Sequence, residues 1–265
     1  MNPVQVIKGD SPVILAMPHT GTFLPEEVLA ILTPLGQTLE DTDWHVHKLY
    51  EGLLPQATTV RATFHRYVID ANRDPSGVSL YPGQNTTELC PTIDFEGRPL
   101  YHEGQAPNTD EIERRRLAFH APYHAALKAE ISRIKALHGI AILYDCHSIQ
   151  SHKPYLFEGK LPDFNIGTNS GQTCDARLET STADICKDAK NYSHTVNGRF
   201  KGGWTTRHYG QPENGVHAIQ MELAQSTYMD EAAPWNYQPT KAERIRPHLK
   251  NILQTLERLA KEIKS

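Results

Sequence analysis

GIAILYDCHS, residues 139–148, is an unbroken apolar run that ends abruptly in polar side chains. A short apolar run opened by glycine reads as a strand buried on both faces. Immediately before it stands the strongest helical stretch of the chain, Asp110–His138, which Pro122 kinks or divides. A long helix feeding a buried strand is the unit of an α/β protein, and the same alternation extends outward in both directions.

Upstream, Pro12–Met17 (PVILAM) is a second apolar strand that stops at Pro18-His19-Thr20-Gly21. Pro25–Leu32 reads as a helix with proline in its first turn. Asp43–Leu54 reads as another, with Val46, Leu49, Tyr50, Leu53 and Leu54 at helical spacing and Asp41, Thr42 or Asp43 as N-cap. Thr58–Ala62 and Tyr67–Ile69 look like strands. Downstream, Ala176–Lys190 is helical, Asn197–Tyr209 is a glycine-bearing loop, and Val216–Leu223 (VHAIQMEL) is a strand. Lys241–Lys264 is an amphipathic helix. This alternation predicts an α/β protein, a three-layer α/β/α sandwich with a mixed, mostly parallel sheet. No repeat or linker divides residues 1–265, so they are read as one domain of ordinary α/β size. Gly77–Pro107 breaks the pattern, because it is rich in Gly, Pro, Asn and Thr and has no period. Loops that long inside compact domains are usually functional.

Hydrophobic residues make up 38% of the chain and charged residues 22%, as in an ordinary globular protein. The net charge of -4 argues against a nucleic-acid partner, which would call for a basic surplus. Cys90, Cys146, Cys174 and Cys186 form no CxxC pair and suit reduced thiols. No apolar stretch nears the roughly 20 residues of a membrane span, and no signal peptide is expected. The reading is a soluble, cytoplasmic protein with a small-molecule substrate and no membrane partner. A homo-oligomer is left open. Fourteen histidines hint at metal or proton chemistry.

The hint sharpens at the strand ends, where open α/β sheets carry their sites. Pro12–Met17 delivers His19, Tyr67–Ile69 leads into Asp70-Ala71-Asn72-Arg73, Gly139–Asp145 delivers His147, and Val216–Leu223 carries Glu222. Metal-assisted hydrolysis needs three protein ligands and one open position. His19 and His147 are natural imidazole donors, and Asp41-Thr42-Asp43 can supply a carboxylate. Glu222 fits the separate, uncoordinated general base.

With Pro18-His19-Thr20-Gly21, Asp43, Arg66–Arg73 (RYVIDANR), Asp145–Ser148 (DCHS) and Met221-Glu222-Leu223, the chain resembles the N-formylglutamate amidohydrolase family. The likeness runs from about residue 10 to residue 260. It implies a zinc-carboxypeptidase-like (phosphorylase/hydrolase-like) fold and hydrolysis of N-formyl-L-glutamate to formate and L-glutamate, a step of histidine degradation. It also implies one divalent metal ion, zinc, on His19, an acidic residue and His147. Asn72-Arg73 then grips a substrate carboxylate, and Glu222 is the catalytic acid/base. Carboxypeptidases place the acidic ligand three residues after the first histidine, where this chain has Thr22. The ligand therefore comes from further on: Asp43, with Asp41 in reserve. A substrate with two carboxylates calls for a second arginine. Arg207, in the GGWTTRHYG segment, is the candidate, and Gly202 and Gly203 would let the backbone approach the ligand. Arg66 either contributes too or pairs with Asp70 or Asp145.

Rival readings are weaker. His45 and His47 fall on a helical period and so diverge, although His45 could line the pocket. His120 and His124 read as a structural pair. Cys146, next to His147 on an extended segment, points to the opposite face and is no nucleophile. Asp145 either orients a metal histidine or makes a structural pairing. The same metal site acting on another small N-acyl amino acid, and a non-catalytic binding protein of this fold, are the alternatives.

Overall fold

The computed structural model describes residues 1–80, 83 and 85–263. Its strands are β1 (Val4–Ile7), β2 (Val13–Met17), β3 (Thr58–Ala62), β4 (Ala141–Ile149), β5 (Phe164–Gly167), β6 (His194–Val196) and β7 (Val216–Ala224). They make one seven-stranded sheet in the order β1-β3-β2-β4-β7-β5-β6. β2, β4 and β7 lie side by side in parallel, and every residue in them is buried. Strands covered on both faces need no alternation, hence the continuous apolar runs. Only β1 with β3 and β5 with β7 pair antiparallel among the described strands. The sheet is therefore mixed and mostly parallel, as expected.

The described residues form seven α-helices: α1 (Glu26–Leu29), α2 (Val46–Tyr50), α3 (Thr109–Arg115), α4 (Ala121–His138), α5 (Ala176–Asp188), α6 (Trp204–Tyr209) and α7 (Pro239–Ile263). On one face Ile14, Ala16, Leu143 and Ala218 pack against Tyr123, Leu127 and Ile134 of α4. On the other, Leu15, Tyr144 and Ile219 belong to the core that Leu178 of α5 and Ile245, Leu249 and Leu253 of α7 complete. The α7 residues recur at helical spacing, so one stripe of that helix is buried. No described helix is long and apolar enough to cross a membrane.

Several local readings change. Tyr67–Ile69 is no strand, because Arg66–Val68 forms a turn. These residues are buried as a loop whose carbonyls are met by side chains. Tyr101 Oη donates to the Tyr67 carbonyl and Arg115 Nη1 to that of Val68, both at 3.1 Å. The helix expected over Asp43–Leu54 shrinks to Val46–Tyr50. His45 is left-handed at φ 61° and occupies the cap position, so Asp41, Thr42 and Asp43 do not cap it. Asn197–Tyr209 is not all loop, since it ends in α6. β1, β5 and β6 were not anticipated, being 4, 4 and 3 residues long and too short to display a period. The helical stretch after Thr109 divides next to Pro122, as expected: Arg116–His120 widens into a π turn between α3 and α4. Lys264, where the last helix was expected to end, lies outside the described residues. So do Tyr81, Pro82 and Gln84 of the long excursion.

Candidate metal centre and its cleft

Parallel strands point their carboxyl ends to one side of the sheet, and the site is built there. His19 follows the end of β2. His147 lies near the end of β4, in register with Glu222 of β7, and Asp145 with Gln220. Alternate residues share a face, so these four extend the face covered by α4. Cys146 points the other way into the core, and burial raises its thiol well above the usual range. Asp43 arrives from the segment before α2. Its N–H donates to the His19 carbonyl at 3.0 Å, which ties the two loops together.

The ligand atoms of His19, Asp43 and His147 all lie within 4.8 Å of one another, and all three residues are buried. Each histidine turns Nδ1 toward the same oxygen, Asp43 Oδ2, at 3.7 Å from His19 and 3.1 Å from His147. Each turns Nε2 toward a different carboxylate. His19 Nε2 is 2.7 Å from Asp70 Oδ1, and His147 Nε2 is 3.1 Å from Asp145 Oδ1. A cation on Nδ1 leaves the ring proton on Nε2, where a carboxylate can accept it and hold the ring. Asp145 Oδ1 is buried and makes no hydrogen bond, an acceptor that this proton would satisfy. Asn72 Nδ2 also approaches His147 Nε2, at 3.2 Å, but two donors cannot share a proton, so Asp145 is the partner in that state. Two imidazoles and a carboxylate fit a divalent ion.

The electrostatics agree. Burial alone would raise the Asp43 carboxyl, yet hydrogen bonds from His147 and His19 hold it well below the usual range. Burial opposes protonation of His147, but Asp145 and Asp43 raise it well above the ordinary value. Glu222 is pushed up to about 8, chiefly by burial. Its Oε2 accepts from Gln220 Nε2 at 2.9 Å, while Gln220 Oε1 accepts from the Gly203 N–H at 2.7 Å. A buried carboxyl near neutrality, facing a cleft, is suited to move protons.

The cleft encloses about 610 Å³, open solvent at its mouth included. The trio, Glu222, Asn72 and Arg73 all line it. Asn72 Oδ1 accepts from the Thr205 N–H at 2.8 Å. Arg73 is braced by Thr87, with Nε on its carbonyl at 2.9 Å and Nη2 on its hydroxyl at 2.8 Å. The long excursion supplies Asn85, Thr86, Thr87 and Phe95 to the wall.

Other expected residues stand elsewhere. Arg207 is not in the lining; its Nε donates to the Gly202 carbonyl at 2.8 Å. Asp41 accepts from the Phe95 N–H at 2.9 Å and does not join the trio. Arg66 lines the cleft but pairs with Asp70 at 2.5 Å. His45 meets the Trp235 carbonyl at 2.7 Å and, with His47, stays out of the lining. His120 and His124 hydrogen-bond the carbonyls of Arg73 and Ala71 at 3.1 and 2.8 Å, stapling the loop that carries Asn72.

Three residues of the site escaped sequence reasoning in these positions: Asp70 on His19, Gln220 on Glu222, and Arg199 in the cleft wall. Period two from Glu222 could have found Gln220. Nothing local marks Arg199, because its loop has no period.

A buried acid–imidazole trio at the strand ends, with a buried carboxyl in the same cleft, is the arrangement of a hydrolase built on an α/β sheet around a candidate metal centre. The comparisons narrow it. Residues 11–229 match the family described as N-formylglutamate amidohydrolase, and the chain belongs to that family. It is 48% identical over 250 residues to an N-formylglutamate deformylase of Pseudomonas aeruginosa, with 94% of each chain covered. A second such deformylase, from Pseudomonas putida, is 45% identical over 94% of this chain and 93% of its own. The crystal structure of an N-formylglutamate amidohydrolase from Ralstonia eutropha JMP134 superposes with a TM-score of 0.80 at 25% identity, covering 99% of this chain and 98% of that one.

Proposed function

We propose that this protein hydrolyses N-formyl-L-glutamate to formate and L-glutamate, using one divalent ion, zinc, held by His19, Asp43 and His147. The observation that carries the reading is the convergence of that buried trio with Glu222 and Arg73 in one cleft. The names of the Pseudomonas relatives, N-formylglutamate deformylases, support the substrate. We place the reaction in histidine degradation and in the cytoplasm; the four buried, unpaired cysteines suit a reducing compartment.

When bound, the ion polarises the formyl oxygen and acidifies water. Glu222 takes a proton from the attacking water on a carboxylate oxygen and later delivers it to the nitrogen of the departing glutamate. Asn72 and Arg73 hold the substrate's α-carboxylate by charge-assisted hydrogen bonds. Asp70 and Asp145 keep the two imidazoles oriented through Nε2.

Formate release from N-formylglutamate is the direct test. It should vanish on chelation and return with about one equivalent of zinc. Asp43→Asn should lose the ion and Asp41→Asn should keep it. Formate release undiminished after exhaustive chelation, or loss of the ion only in the Asp41 variant, would overturn the assignment.

A further inference from the structure

The geometry points to Arg199 as the residue that receives the substrate's second, side-chain carboxylate and so sets the preference for an acidic N-formyl amino acid. The inference rests on the proposed function and deepens it. Among the described residues, three guanidinium groups line the cleft: Arg66, Arg73 and Arg199. A dianionic substrate needs a separate cation for each carboxylate, and the three are not equivalent. Arg66 is buried and its Nη2 lies 2.5 Å from Asp70 Oδ2, so its charge is matched inside the protein. Arg73, whose Nη1 lies 3.6 Å from the same Asp70 oxygen, adjoins Asn72 and is assigned to the α-carboxylate. Arg199 is the remaining arginine of the wall, whereas Arg207 does not reach it.

Its setting fits a distal carboxylate. His19, Asp43, His147 and Glu222 are all buried, whereas Arg199, like Arg73, is half-buried. Nε donates to the Leu156 carbonyl at 2.9 Å and Nη2 to the Asn85 carbonyl at 3.1 Å, so two other loops fix the side chain. A guanidinium already held in place loses less entropy when it binds a ligand. Phe95, Ile149, Leu156 and Phe200 line the same cleft. They offer an apolar surface for the two methylenes between the substrate's Cα and its far carboxylate.

The test is a ratio. In the zinc-loaded wild type, kcat/KM for N-formylglutamate should exceed that for neutral N-formylglutamine by roughly 30-fold or more. Arg199→Met should reduce this ratio to within about threefold, mainly through KM, and Arg199→Lys should restore part of it. A ratio unchanged in Arg199→Met, or erased by Arg207→Met instead, overturns the proposal. Equal losses on both substrates would mean a merely structural role and overturn it too. If the wild type leaves N-formylglutamate intact, the proposed function fails, and calorimetry with glutarate decides separately on Arg199. Tighter binding of glutarate than of its monoamide, lost in Arg199→Met, sustains the role; no difference removes it.

Discussion

At Glu222 the environment favours the neutral carboxyl, and the proposed acid/base role can be tested there. Burial pushes its carboxyl up to about 8, and the Gln220 amide occupies one oxygen. Gln220 cannot flip, because its own oxygen accepts from the Gly203 N–H. Glutamine in place of Glu222 keeps shape and polarity but accepts no proton. Glu222→Gln should therefore lose about 10²–10⁴-fold in kcat while its metal content and melting temperature stay near wild type. A variant carrying zinc and retaining more than about a tenth of wild-type kcat would falsify the role. Loss of the ion in that variant would instead make Glu222 a ligand.

At the scale of elements, α6 shows how a short helix is held by the site it serves. With 6 residues it has little stability of its own, and its N-cap Gly203 has no side chain to cap it. The Thr205 N–H is capped from a distance by Asn72 Oδ1. A Cβ at Gly203 would come within 2.3 Å of Asn72 Nδ2, so a side chain there must push Asn72 aside. Gly203→Ala should cost about 1 kcal/mol of stability through the lost cap. The larger effect should be on catalysis: displacing Asn72 from its proposed place on the substrate carboxylate should lower kcat/KM on the order of 100-fold. Steady-state kinetics set beside urea unfolding would check this. Unchanged kcat/KM would show that Asn72 does not need its present position.

At the scale of the whole molecule, buried histidines set the acid limit of stability. His124 is lowered to about 3 and His47 to about 4, both chiefly by burial, and His65, His120 and His217 are lowered for the same reason. A base whose folded pKa is depressed binds its proton more readily in the unfolded chain. Its contribution is present above about 6.5 and is lost as pH falls toward the folded value. These histidines should thus make the unfolding free energy decline from about pH 6.5 downward, offset in part by Asp41 and Glu222, whose carboxyls burial raises to about 7 and about 8. His124→Gln should flatten part of that slope, with urea titrations at several pH values as the measurement. An identical slope in the variant would exclude His124 as a source.

Period and punctuation in the sequence determined where the central strands run and what their ends carry. PVILAM before His19, GIAILYD before His147 and VHAIQMEL around Glu222 are local patterns, and strand alternation alone turned Cys146 away from His147. Only the tertiary structure decided which groups meet those residues. Asp43 rather than Asp41 faces the histidines because the Asp43 N–H docks on the His19 carbonyl, a contact between separate loops. Asp70 reaches His19 across 51 residues, and Asn72 reaches Thr205 across 133. The segment Tyr67–Ile69 has strand-like residues, yet it is buried as a turn because Tyr101 and Arg115 satisfy its carbonyls. Arg199 rather than Arg207 lines the cleft because loops from three parts of the chain close around it. Residue type and spacing fix the period of a segment and where it ends. The facing of a loop side chain depends on partners distant in sequence, which no local pattern encodes.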